Sequence, residues 1–148
     1  MAVRLSLLVA TWATPLSTLP AIAVALLLAR GRFWGISLVH TLVHLPLVLP
    51  PVVTGYLLLL VLGRRGLIGG MLEEELGIVF AFRWTGAALA SAIMGFPLMV
   101  RAIRLSIEGV DRRLEDAAAT LGASPAWVFL TVTLPLSLPG VLAGMILA

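Results

Sequence analysis

The chain has 148 residues, of which 61% are hydrophobic and 11% charged, and its mean hydropathy is +1.13. A soluble domain is nearer 45–50% apolar and about 25% charged, so this composition excludes a disordered tail and argues against a free soluble enzyme. The net charge of +3 is the balance of ten arginines against seven acidic residues, and the arginines are scattered singly or in pairs between apolar runs. That pattern belongs to loops between membrane helices and not to a nucleic-acid-binding stripe, so no nucleic-acid partner is expected. The absence of cysteine excludes disulfides, thiolate metal sites and cysteine nucleophiles.

The predicted architecture is an all-α, polytopic membrane bundle in a single domain, 1–148, because a bilayer crossing takes roughly 20 apolar residues. The first run, Leu5 to Ala29, is uncharged and holds Pro15 and Pro20, which predict a kink. Its rival reading is a cleavable leader, with Arg4 as the basic start and Ala21-Ile22-Ala23 as the cleavage site. The run is long for a leader core, and Arg30 and Arg32 follow it as a stop. The second run covers about 36–62, the third about 84–106, and the fourth about 127–148. The fourth is still apolar at Ala148, with no polar cap, Arg anchor or Gly stop after it. That punctuation predicts a chain incomplete at its C-terminus, lacking one or more crossings.

Orientation follows from the arginines. Arg101, Arg104, Arg112 and Arg113 follow the uncharged part of the third run, Trp84 to Val100, which assigns that loop to the cytoplasm, and Arg30 and Arg32 fall on the same side. Arg4, Arg64, Arg65 and Arg83 fall outside, the last three balanced by Glu73, Glu74 and Glu75. The N-terminus is then outside. Met71 to Phe82 is short and partly apolar and reads as an interfacial or re-entrant helix.

Three features invite chemistry. Leu45 to Pro51 carries three prolines inside a membrane run, leaving carbonyls unpaired; such backbone is either a kink in a packed bundle or the lining of a water-filled route, with Thr54 and Gly55 beside it. His40 and His44 share a helix face, but two ligands do not complete a zinc site, and the Glu of a zincin helix is missing. Ser91 with Gly95, and Gly140 with Gly144, are four apart and favour close helix approach.

The most informative stretch is Glu108 to Pro139. Asp111 suits a helix cap, Arg112 to Leu121 is rich in helix formers, and Gly122 suits the position after the last turn. Ser124-Pro125 reads as a second cap with proline at the first helical position. A short helix over about 111–122 results, too short and polar to cross, with a small-residue face at Ala117 and Ala118 suited to docking in a groove of another protein. A solvated connecting loop is the plainer alternative.

Here the residues resemble a known family. Asp116-Ala117-Ala118, three residues, Gly122, nine residues, Val132, one residue, then Leu134-Pro135 follows the signature loop of binding-protein-dependent ABC importer permeases, with Asp for Glu and Val for Ile. His44 to Tyr56, Gly63-Arg64-Arg65-Gly66, Phe96 to Arg104, Glu108 to Asp111, and Thr133 to Leu136 are similar to the molybdate and tungstate branch, and the likeness runs from about Leu38 onward. Sulfate and thiosulfate permeases share the loop and part of the proline run.

The resemblance implies a transporter subunit and not an enzyme, with no cofactor of its own. Two copies would pair to form a pathway through the lipid bilayer, and an oxyanion-binding protein would deliver substrate from outside. ATP would be hydrolysed by a separate ABC ATPase subunit, docked on the cytoplasmic coupling helix. By match to the loop, Asp116, Ala117, Ala118 and Gly122 would form the contact and its turn, and Leu134-Pro135 would start the next crossing. No Gly-x-x-x-x-Gly-Lys-Ser/Thr run occurs. Two other classes compete: a membrane structural or assembly protein, truncated and without transport activity, and an intramembrane enzyme using His40 and His44.

Overall fold

The computed structural model describes residues 2–77 and 83–148, and among them every regular element is helical. In chain order these are α1 (Ala2–Arg30), α2 (Ile36–Val48), α3 (Pro51–Leu62), α4 (Leu67–Leu76), α5 (Trp84–Glu108), α6 (Arg112–Thr120) and α7 (Pro125–Leu147). The helices α1, α5 and α7 have 28 to 29, 25 and 23 residues, about 35–43 Å at 1.5 Å per residue, so each is long enough to cross a bilayer.

These three helices make the core. Ala21, Ala25 and Leu28 of α1 pack against Met99, Val100, Ile103 and Ile107 of α5, with Val141 of α7 closing the cluster. Ala21 and Ala25 are fully buried, whereas Ala23 between them is exposed. Bulky side chains such as Leu7, Leu16, Leu19, Leu138 and Leu142 point outward. In water they would form a large apolar patch, whereas lipid tails solvate them, and helix association then rests on packing and close approach.

The approach of α7 to α5 shows that packing directly. A Cβ on Gly140 would lie 2.1 Å from the Ser106 Cβ, and one on Gly144 would lie 3.1 Å from Met99 Cγ. Ser106 Oγ donates to the Ser137 carbonyl across the contact at 3.2 Å. Gly95 faces the end of α7, where a Cβ would lie 2.9 Å from the Ala148 carbonyl oxygen. Ser91 is exposed and lines an open cleft, so only Gly95 of that pair serves close packing.

The run 36–62 divides. Pro50 caps α3 and Pro51 occupies its first turn; neither has an N–H to continue the helix, and α2 and α3 meet at 111°. Each arm has only 13 or 12 residues. The short helix expected from Met71 begins earlier, at Leu67, with Gly69 and Gly70 inside it. A Cβ on Gly69 would lie 2.3 Å from the carbonyl oxygens of Leu62 and Gly63, so the α3–α4 corner closes only because that side chain is absent. Gly77, at φ +65°, ends α4; residues 78–82 of the expected helix lie outside the described residues.

Two ends of the bundle can be told apart. At one, the C-termini of α1 and α5 meet, because Arg30 bonds the carbonyls of Ile107 and Val110. At the other, Ser6 of α1, Trp84 of α5 and Ala148 after α7 line one cleft. Thus α1 and α5 run parallel, and α7 runs antiparallel to both.

Candidate functional site

At the Arg30 end lies α6, outside the three-helix core. Its nine residues are defined at both ends by local chemistry. Asp111 caps the start by accepting from the Arg113 N–H at 2.9 Å. Gly122 ends it with φ +86°. The Gly122 N–H donates to the Ala119 carbonyl at 3.0 Å and the Ala123 N–H to Ala118 at 3.3 Å. This pair of bonds is a Schellman motif, which needs a left-handed residue where Gly122 stands. Ser124 then caps α7 by accepting from the Trp127 N–H at 3.3 Å, with Pro125 in the first turn.

The family-loop residues divide between two surfaces. Asp116, Ala117 and Gly122 are exposed, and Ala118 is half-buried. Leu114 and Leu121 extend this face, at 50% and 89% exposure. Leu114, Ala117 and Leu121 are spaced i, i+3 and i+7, the stripe by which a helix lies in a groove. Leu134 and Pro135 do not join that face. They sit on α7, about 15 Å along it from Pro125.

Pro135 acts through the backbone. Without an N–H, and with its ring directed at the carbonyl of the residue four before it, proline disfavours a regular turn. The helix widens to a π turn over Phe129–Thr133, and the Leu134 N–H bonds the Phe129 carbonyl, five residues back. A π turn adds one residue to the register and so rotates what precedes it by about 100°. Thr133, 2% exposed, thereby faces α6.

Glu115 receives it. Thr133 Oγ1 donates to Glu115 Oε1 at 2.6 Å, and Arg30 Nη2 donates to the same oxygen at 3.0 Å. The Arg30–Glu115 ion pair is about one-fifth exposed on either side. Arg30 Nη2 also lies 3.2 Å from the Ile107 carbonyl and 3.4 Å from that of Val110. Charge-assisted bonds of this kind contribute about 1.5–3 kcal/mol each. Arg30 Nε, however, is buried without an acceptor among the described residues, which offsets part of that gain.

Arg30 and Thr133 were not evident as site residues from the sequence. Arg30 reads there as a loop arginine, and Thr133 as one more residue of an apolar run. Glu115 was visible only as a second acid beside Asp116. Adjacent positions on a helix point about 100° apart, and the two acids do so here: Glu115 faces inward and Asp116 faces out.

Elsewhere, the rings of His40 and His44 stack at 4.3 Å, with His44 Nδ1 2.9 Å from the His40 carbonyl. Among the described residues no group of three His, Cys, Asp or Glu side chains converges as a metal site would require. At the end opposite α6, a cleft of about 660 Å³ is lined by Ser6, Thr14, Arg83, Trp84 and Ser91 among others.

The described residues thus form a helical membrane bundle with a short capped helix outside its core. Residues 5–148 match the family of binding-protein-dependent transport system inner membrane components, and the chain belongs to that family. It is similar to the molybdenum transport system permease protein ModB of Haemophilus influenzae, with 59% identity over 99% of this chain and 64% of that protein. ModB of Escherichia coli K12 is 58% identical over the same shares. The sulfate transport system permease protein CysW of Synechococcus elongatus is 38% identical over 99% of this chain and 51% of that one. The chain thus spans 64% of the length of these two ModB relatives.

Proposed function

We propose that the chain is the permease part of an ABC importer for molybdate or the chemically similar tungstate, and that α6 is its docking helix for a separate ATPase subunit. The choice of substrate is supported by the higher identity to molybdenum permeases than to sulfate permeases. The docking role is supported chiefly by α6 itself: a rod capped at both ends, standing outside the core, with Leu114, Ala117 and Leu121 exposed as one stripe and Asp116 beside them.

In this reading the contact is made by Asp116, Ala117 and Ala118, and Gly122 shapes the turn. Leu134-Pro135 lie within the crossing that receives the motion, about 15 Å from its start at Pro125. The α6 end is cytoplasmic, since the arginines Arg30, Arg32, Arg101, Arg104, Arg112 and Arg113 cluster toward it in the chain order of the bundle. The N-terminus is outside, and four crossings are formed if α2 and α3 act as one bent span. A second copy completes the pathway, an oxyanion-binding protein loads it, and ATP is hydrolysed by the ATPase partner.

Co-purification tests this reading. The ATPase subunit encoded with this chain is expected to co-purify with it from membranes. Asp116→Arg or Gly122→Arg should release that subunit while the permease remains in the membrane. An intact complex in both variants would refute the docking role. So would labelling of Arg113→Cys by an impermeant reagent applied from outside intact cells.

A further inference from the structure

We propose that Glu115 is a positioning residue for force transmission: with Arg30 and Thr133 it forms a latch that makes α6 move as one body with α1 and α7. The proposal rests on the docking role of α6 put forward above and adds what happens to the force once it arrives.

Covalently, α6 hangs between two short joints, Gly109 to Asp111 and Leu121 to Ser124. A nine-residue rod held only there would swivel under load, and the displacement would be absorbed in the joints. The latch removes that freedom. One carboxylate oxygen of Glu115 takes the Arg30 guanidinium from the last turn of α1 and the Thr133 hydroxyl from the π turn of α7. The same Arg30 nitrogen holds the carbonyls of Ile107 and Val110, which brings the end of α5 into the assembly.

Two further observations separate this role from plain stabilisation. Thr133 reaches Glu115 from a π turn, a rare geometry that occurs frequently at functional sites. The network is also incompletely satisfied, since Arg30 Nε is buried without an acceptor among the described residues. Apolar side chains would hold the same elements together without that deficit. What the polar version supplies is direction, because it fixes α6 at one angle. The two neighbouring acids then divide the work, Asp116 facing the partner and Glu115 facing the chassis.

The test uses the permease–ATPase complex with its binding protein, reconstituted in liposomes, with molybdate as the transported probe. Three variants are compared: Glu115→Gln, which removes the charge; Thr133→Val, which removes the donor at constant size; and Thr133→Ser, which restores it. All three are expected to retain the ATPase subunit. Glu115→Gln and Thr133→Val should lower molybdate uptake per ATP hydrolysed by about fivefold or more, and Thr133→Ser should stay within about twofold of the unmodified complex. This ratio is insensitive to a loss of folded protein, because unfolded complexes contribute to neither term. An unchanged ratio in Glu115→Gln and Thr133→Val overturns the latch, as does a Thr133→Ser variant as impaired as Thr133→Val. Release of the ATPase by Thr133→Val also overturns it, since the docking face should be untouched. Failure of the docking reading would show separately, as an unmodified chain that binds no ATPase.

Discussion

Replacing Gly122 by alanine isolates the contribution of one backbone angle to α6. A Cβ at this position would meet nothing within 4 Å, so no side-chain clash accompanies the change. The entire cost comes from φ +86°, in the left-handed region. There an L-residue costs about 1–2 kcal/mol relative to glycine, equivalent to a shift of roughly 5–30-fold in the local equilibrium. The destabilised state is the Schellman closure, in which Gly122 and Ala123 donate to Ala119 and Ala118. Amide hydrogen exchange reports it directly: the Gly122-site and Ala123 amides should lose about tenfold in protection in Gly122→Ala, while the α5 core amides stay as they were. Gly122→Asn should fall between the two, because asparagine tolerates this region better than alanine. Equal protection in the alanine variant and the unmodified chain would refute the reasoning, and so would an asparagine variant no better than alanine. If α6 docks an ATPase, affinity for that subunit should fall in the same order.

Other perturbations probe the frame around the site. Gly140→Ala places a Cβ 2.1 Å from that of Ser106, and should destabilise the α5–α7 contact by about 1–3 kcal/mol, read by denaturant titration in mixed micelles. Adding Ser106→Gly should recover only part of it, because the Ala102 carbonyl oxygen lies 2.9 Å from the new Cβ. Gly55→Ala, in open space, should be neutral or stabilise by up to about 1 kcal/mol. Asp111→Ala removes the cap on Arg113 and should cost about 0.5–2 kcal/mol, seen as faster exchange in the first turn of α6. Pro135→Ala removes the ring that disfavours a regular turn, and the wide turn over Phe129–Thr133 should tighten. Thr133→Cys would then become more reactive to a small thiol reagent in the Pro135→Ala background, and unchanged reactivity would count against proline as the cause.

Local chemistry was legible in the sequence because its causes lie within a few residues. Long uncharged runs forecast α1, α5 and α7, since a helix that satisfies its own backbone needs only length and apolarity to sit in lipid. Asp111, Gly122, Ser124 and Pro125 forecast α6 and its joints, because caps and left-handed turns are set by the residue that occupies them. The prolines at 50 and 51 announced a break but not its 111° angle, which depends on how the two arms pack.

Tertiary structure alone decided which acid faces where and what meets it. Arg30 and Glu115 are 85 positions apart, and no local signal pairs them. Their meeting requires α1 and α5 to end together, and that close packing is made by Ala21 and Ala25 of α1 against Met99, Val100, Ile103 and Ile107 of α5. Likewise, a proline predicts a distortion, but only the position of α6 beside α7 turns that distortion into a Thr133 hydroxyl aimed at a carboxylate. Propensity and capping act over one or two turns, whereas the latch depends on a register between helices, which no single segment contains.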